Sequence, residues 1–291
     1  MAIDNGLNSG DSIQIRAITP DGLQDFAAMQ ELEQLVWHMP QALPLHQVLT
    51  VAKNGGILLG AFAGTSMVGI LYSFPGYLNR QVYLCSHMLG IRDDWRNCGL
   101  GEQLKLAQAA AAKASGYRLI TWTYDPLESA NANLNIGKLG AVCSTYVVNC
   151  YGKMEDTLNQ GLPSDRFQVA WWIDQPQEIV LPAGTEYQAI PWRLRADNLI
   201  EPVGEPDLSG EFLNKATRVT VAVPAGIQLI KERDIDLAKN WRLVTRQAFI
   251  PLFDQGWIVV GFRRLPGVPV NEYILVKQEA VDLPKPPWTK R

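Results

Sequence analysis

The chain has 291 residues, 47% of them hydrophobic, and a formal net charge of −3. That length and apolar content suffice for a large core, divided here between two expected domains. The slightly acidic balance gives no basic footprint, which excludes nucleic acid and an anionic membrane surface as expected partners. The four cysteines, at positions 85, 98, 143 and 150, form no C-x-x-C pair, and only three histidines are present. No metal-ligand spacing can be assembled from them, so no metal is expected and the thiols should be free in a reducing compartment. The first residues, MAIDNGLNSGDS, are polar and lack an apolar signal core, and no run approaches a membrane span. A cytoplasmic protein is expected.

In chain order, Thr19-Pro20 opens a helix carrying Phe26, Met29, Leu32 and Val36. Ile57 to Ala63 and Met67 to Phe74 read as a hairpin around Gly64-Thr65-Ser66. Gln81 to Ile91 reads as a strand whose alternation puts Tyr83, Cys85, His87 and Leu89 on one face and Leu84, Ser86 and Met88 on the other. Leu100, Leu104, Ala107, Ala111 and Ala114 then form the apolar stripe of a helix that ends at Gly116, with Glu102, Lys105, Gln108 and Lys113 expected in water. A buried strand over Tyr117 to Tyr124 follows, then a helix over Ser129 to Leu139, a turn at Gly140-Ala141, and strands over Val142 to Tyr151 and Phe167 to Ile173. Asp174-Gln175-Pro176-Gln177-Glu178 and Pro182-Ala183-Gly184 mark a linker, which sets domains at 1–175 and 176–291.

The second domain is expected to be a small α+β unit. Thr217 to Val223, Trp257 to Phe262 and Tyr273 to Val276 read as strands, and Asp234 caps a helix ended or kinked by Pro251. Its buried face should comprise Leu237, Trp241 and Val244, with Arg242 and Arg246 directed elsewhere. That face must pack on the main sheet or on a second subunit, which would make the protein a homodimer. The Pro-Lys-Pro-Pro tail is expected to be disordered.

Arg96-Asn97-Cys98-Gly99-Leu100-Gly101, between a strand and a helix, has the form of an anion-binding loop. Glycines let the backbone approach an anion, and the helix start offers unpaired N–H groups and a dipole worth about 0.3 to 1 kcal/mol. No Gly-Lys-Ser/Thr follows, so it is not a Walker loop, and Leu104 stands where a Rossmann loop needs its third glycine. The pattern R-x-x-G-x-G after a strand resembles the pyrophosphate loop of the GNAT superfamily of acyl-CoA N-acyltransferases. Ile91-Arg92-Asp93 occupies the place of the family's V-x-P, with Asp93 for the proline. The order of elements from Ile13 to Ile173 resembles the family's as well.

The resemblance implies an α/β (α+β) fold, a mixed and mostly antiparallel sheet flanked by helices, extended by the smaller carboxy-terminal α+β unit. It implies direct transfer of an acyl group from acetyl-CoA or another acyl-CoA to the amine of a small molecule. Backbone N–H groups of Asn97, Cys98, Gly99, Leu100 and Gly101 would hold the pyrophosphate, helped by Arg96. Those of Met88, Leu89 and Ile91 would serve the pantetheine arm and thioester. His87 is the candidate base, being the one side chain on its strand that titrates near neutrality.

The tyrosine that protonates the departing thiolate in many members should lie four residues before Gly140, where this chain has Ile136. Tyr146 or Tyr151 would have to replace it. Asn131 and Asn135, four apart on one helical face, would bond the pantetheine amides. On the acceptor side, Arg166 would fork onto a carboxylate, and Trp37, His38 and Trp172 would shape the pocket. The alternatives are a non-catalytic acyl-CoA-binding regulator and a scaffold with a degenerate site.

Overall fold

A computed structural model of the chain describes residues 12–38, 42–152, 154, 160–174 and 179–289. The expected boundary between residues 175 and 176 lies outside the described residues. Contacts divide the chain between Ile120 and Thr121, and the two units are taken in turn.

The first unit runs β1 (Ile13–Ala17), α1 (Leu23–Trp37), α2 (Leu45–Lys53), β2 (Ile57–Ala63), β3 (Ser66–Leu78), β4 (Gln81–Ile91), a 3-10 turn at Asp93–Trp95 and α3 (Leu100–Ala114). Its strands pair antiparallel in the order β1-β2-β3-β4. Asn79 and Arg80, both at positive φ, make the two-residue turn between β3 and β4, a geometry that follows the twist of the strands. Phe26, Met29 and Leu32 of α1 pack with Leu58, Ile70 and Tyr72 on one sheet face. On the other face α3 lies close to β3, so a Cβ on Gly69 would meet Leu104 at 3.1 Å.

The second unit takes in most of β5 (Leu119–Tyr124), then α4 (Ser129–Ala132) continuing into a π-helical turn at Asn133–Lys138, β6 (Val142–Val147), β7 (Arg166–Trp172) and β8 (Glu186–Gln188). After these come β9 (Trp192–Leu194), β10 (Ile200–Pro202), α5 (Gly210–Leu213), β11 (Arg218–Pro224), α6 (Ile227–Arg233), α7 (Ile235–Asp254), β12 (Trp257–Arg264) and β13 (Val270–Lys277). The sheet order is β5-β7-β6-β12-β13-β11-β8, with β8 parallel to β11 and β9–β10 a separate ladder. Because β12 pairs with β6 at Val259 and Cys143, the carboxy-terminal segment adds strands to the same sheet. Asp234 caps α7 by accepting from the Leu237 amide at 2.9 Å. Phe167 meets Phe249 and Tyr273 edge-on at 4.7 and 5.2 Å between ring centroids, which centres the core on β7, α7 and β13.

Several expectations are corrected here. Lys105 and Gln108 are buried, not wet: the covered stripe of α3 is Leu100, Leu104, Lys105, Gln108 and Ala112. Alanines had suggested a different face, but the leucines set it, and Gln108 falls on their line four residues after Leu104. Asn131 and Asn135 do not share a face, since Asn131 is exposed and Asn135 buried. The π turn, with Leu139 donating to the Leu134 carbonyl five residues back, breaks the 3.6-residue period that placed them together. Arg242 and Arg246 turn inward together with the apolar stripe of α7, and α7 continues through Pro251 to Asp254. The proline-rich tail is ordered over residues 281–289, with Pro286 and Pro287 buried.

Candidate functional site

The loop is built from the end of β4. After the 3-10 turn, Asn97 and Gly99 adopt left-handed backbone, φ 61° and 86°, which returns the chain to the start of α3. Asparagine and glycine are the residues that tolerate this conformation. Gly99 is the N-cap and brings no side chain to the orphan amides of the first turn, and the first backbone bond across it runs from Gln103 N to Gly99 O at 3.1 Å. A Cβ built on Gly99 would have nothing within 4 Å, so the space over the helix terminus is open. Arg96 reaches back, with Nη2 2.8 Å from Asp93 and Nε donating to the Ile91 carbonyl at 3.2 Å. Asp93, which departs from the proline of the family pattern, is thus the partner that orients Arg96.

β4 carries a bulge. Tyr72 pairs with Met88 and Ser73 with Ser86, which leaves His87 as the extra residue opposite β3. A bulge shifts the alternation of every later residue. Cys85, His87, Met88 and Gly90 therefore line the α1 face, where the His87 ring lies 5.6 Å from Phe74 and 6.0 Å from Tyr72, and the Trp37 ring covers Gly90. Leu84, Ser86, Leu89 and Ile91 line the other. The expected grouping of His87 with Leu89 is corrected by this slip. The imidazole keeps an exposed edge, while desolvation by its neighbours lowers its pKa below the ordinary histidine value. On the opposite face, Lys105 Nζ donates to Ser86 Oγ at 2.8 Å. Burial lowers the Lys105 pKa to about 7, against a small opposing contribution from Cys85.

In the second unit Tyr146, Tyr151 and Arg166 fall in one polar cluster. Tyr146 OH donates to Asp165 at 2.7 Å, and burial raises its pKa. Arg246 holds the same carboxylate with two bonds of 2.8 and 2.9 Å. Burial pushes Asp165 up, but Arg246, the Asn149 amide and Tyr146 together outweigh it and hold the carboxyl below its usual range. Arg242 donates to Asp125, and its Nε and Nη1 have no partner among the described residues. Arg166 is buried, donates to the Asp165 carbonyl at 2.9 Å and sits 5.5 Å from the Tyr151 ring centroid. Tyr151 itself is exposed, with its hydroxyl 2.7 Å from Thr123 Oγ1 on β5.

From β1 to β7 the order is strand, two helices, three antiparallel strands, loop and helix, then strand, helix and a final strand pair, as the resemblance implied. The fold is GNAT-like. No protein-family model matches the chain, and no curated protein does. Among solved structures it is similar to an acetyltransferase of the GNAT family from Streptococcus pneumoniae, at 20% identity and a TM-score of 0.44 over 55% of this chain and 98% of that one. A GNAT family acetyltransferase from Elizabethkingia anophelis with acetyl-CoA bound matches at 17% identity and TM-score 0.42, over 56% and 99%. An aminoglycoside 6'-acetyltransferase type Ii matches at 16% and 0.45, again over 56% and 99%.

Within this GNAT-like frame the first unit holds His87, Met88, Leu89, Ile91, Trp37 and the loop from Arg96 to Gly101, and the second holds Asn131, Asn135, Tyr146, Tyr151 and Arg166. Sequence reasoning passed over Asp125 and Thr123, and it sent Arg242 and Arg246 away from the cluster. The available signal was their spacing, four apart and adjacent to the apolar stripe of α7.

Proposed function

We propose that the chain transfers an acyl group from acyl-CoA directly to the amine of a small molecule. The observation that carries this is the R-x-x-G-x-G loop running into an α3 terminus with no side-chain cap and open space above Gly99. That arrangement suits a pyrophosphate, with Asn97 to Gly101 supplying N–H donors and Arg96 a charge. Backbone N–H groups around the β4 bulge, from Met88 to Ile91, would receive the pantetheine arm and the thioester oxygen. His87, exposed and with its pKa lowered, is neutral at pH 7 and suits the removal of a proton from an ammonium acceptor. The freed amine attacks the thioester carbon, the C–S bond breaks, and the thiolate takes a proton. Tyr151, exposed beside Thr123, suits that last step better than Tyr146, whose proton is committed to Asp165.

A regulator that binds acyl-CoA without turnover is the second reading, favoured by Ile136, which is 2% exposed where the usual tyrosine would stand. Calorimetric titration with CoA followed by thiol release across a panel of amines separates the two. Binding with amine-dependent release of thiol is expected. Binding without release would support the regulator, and absence of binding would remove both.

A further inference from the structure

The turn that carries Tyr151 is held by a set of bonds that has its origin in α7. Asn149 N donates to Asp165 Oδ1 at 2.9 Å, Cys150 N to the Ser164 carbonyl at 2.9 Å, and Tyr151 N to Ser164 Oγ at 3.0 Å. Ser164 Oγ in turn lies 2.8 Å from the Gly152 carbonyl, so one hydroxyl spans both sides of Tyr151. Ser164 and Asp165 are themselves 1% and 0% exposed. Asn149 takes left-handed backbone, φ 48°, to make the turn, a conformation asparagine tolerates. Asp165 is held from α7 by the two-pronged guanidinium of Arg246, a planar fork matched to a carboxylate, and by the Tyr146 hydroxyl at 2.7 Å.

We propose that Arg246 is a positioning residue for Tyr151: through Asp165 and the Ser164 hydroxyl beside it, α7 sets the turn that places the Tyr151 hydroxyl on Thr123. The role of Tyr151 as proton donor rests on the acyl-transfer reading, whereas its placement does not. Three groups hold the two ends of Tyr151 in a fixed relation. The backbone is tied to Ser164, the ring lies over Arg166, and the hydroxyl meets Thr123. Arg246 is only partly covered, with 26% of its side chain exposed, so the fork can be altered at modest packing cost. The carboxy-terminal segment then has a reason to be joined to the acyltransferase-like part beyond completing a sheet.

Amide hydrogen exchange on the full chain tests the placement without reference to activity. In Arg246→Lys, which keeps the charge and loses the fork, exchange at Asn149 and Tyr151 should quicken about tenfold or more while amides of β11 and β13 stay protected. Ser164→Ala, which leaves no buried charge, removes the acceptor of the Tyr151 amide and a 3.2 Å bond to Asn149 Oδ1, so Tyr151 should quicken more than Asn149, whose amide acceptor is Asp165. Unchanged exchange at both positions in folded Arg246→Lys overturns the proposal, as does a rise spread evenly over β11 and β13. Turnover addresses the other reading: kcat should fall about tenfold or more in Arg246→Lys and in Tyr151→Phe with CoA affinity unaltered. Quickened exchange with an unaltered kcat in both variants upholds the placement and removes Tyr151 as the acid.

Discussion

Gly99 couples two demands at one residue, a positive φ and an open approach to helix amides. Because any side chain there is strained, a test must use residues that tolerate left-handed backbone, and Asp and Asn both do. Gly99→Asp sets a fixed negative charge over the α3 terminus and should weaken CoA binding at least about tenfold, on the order of 1.4 kcal/mol, by opposing the pyrophosphate. Gly99→Asn, of the same shape and without the charge, should lose much less. Equal losses in the two variants, by calorimetric titration, would show that the terminus does not act on charge. His87 makes a second demand on a single residue. Desolvation holds its pKa below the ordinary histidine value, and since a base works in its neutral form, kcat/KM should fall only as pH drops below the ordinary histidine range. His87→Ala should lose about 10²- to 10⁴-fold in rate together with that limb. A variant of near full activity with the same acidic limb would return His87 to a structural role.

At the scale of the element, α3 carries a lysine whose burial sets the pH response of the fold. The folded-state pKa is lowered from 10.5 to about 7, so between those values the unfolded chain holds a proton that the folded chain has released. Stability therefore rises with pH through that window, by about 1.4 kcal/mol per unit at most, and the cost of burying the charge is present in full below about pH 7. Lys105→Met removes this dependence and should be more stable than the parent at pH 7, with the gap closing towards pH 10. Denaturant unfolding of the two proteins across that range decides it, and a gap that does not vary with pH would count against a shifted Lys105. The bulge in β4 belongs to this scale too, because one extra residue inverts the facing of everything from Met88 onward.

At the scale of the whole chain, the carboxy-terminal segment is not separable from the strands that precede it. β12 pairs with β6, Arg242 and Arg246 satisfy Asp125 and Asp165, and Phe249 fills the space beside Phe167. Cutting after Asp174 would expose the edge of β6 and strip α7 from the apolar surface around Phe167. The truncated chain should therefore be insoluble or molten instead of a smaller folded protein. Circular dichroism and size-exclusion chromatography of the product check this, and a monomeric, cooperatively unfolding fragment would contradict it.

The sequence by itself determined what depends on local rules. The R-x-x-G-x-G loop, the start of α3, the Asp234 cap and the hairpin at Gly64 follow from glycine conformation, capping and periodicity, each settled within a few residues. From these the order of elements and the place of a helix terminus without a side-chain cap were legible. Only the tertiary structure decided that His87 is a bulge residue, that Asn131 and Asn135 diverge across a π turn, and that Lys105, Arg242 and Arg246 face inward. The reason is common to all of them. A bulge or a π turn adds one residue to a repeat without marking it, and a charge is buried only where a partner distant in sequence, as Ser86 is from Lys105 and Asp165 from Arg246, is brought within hydrogen-bonding distance.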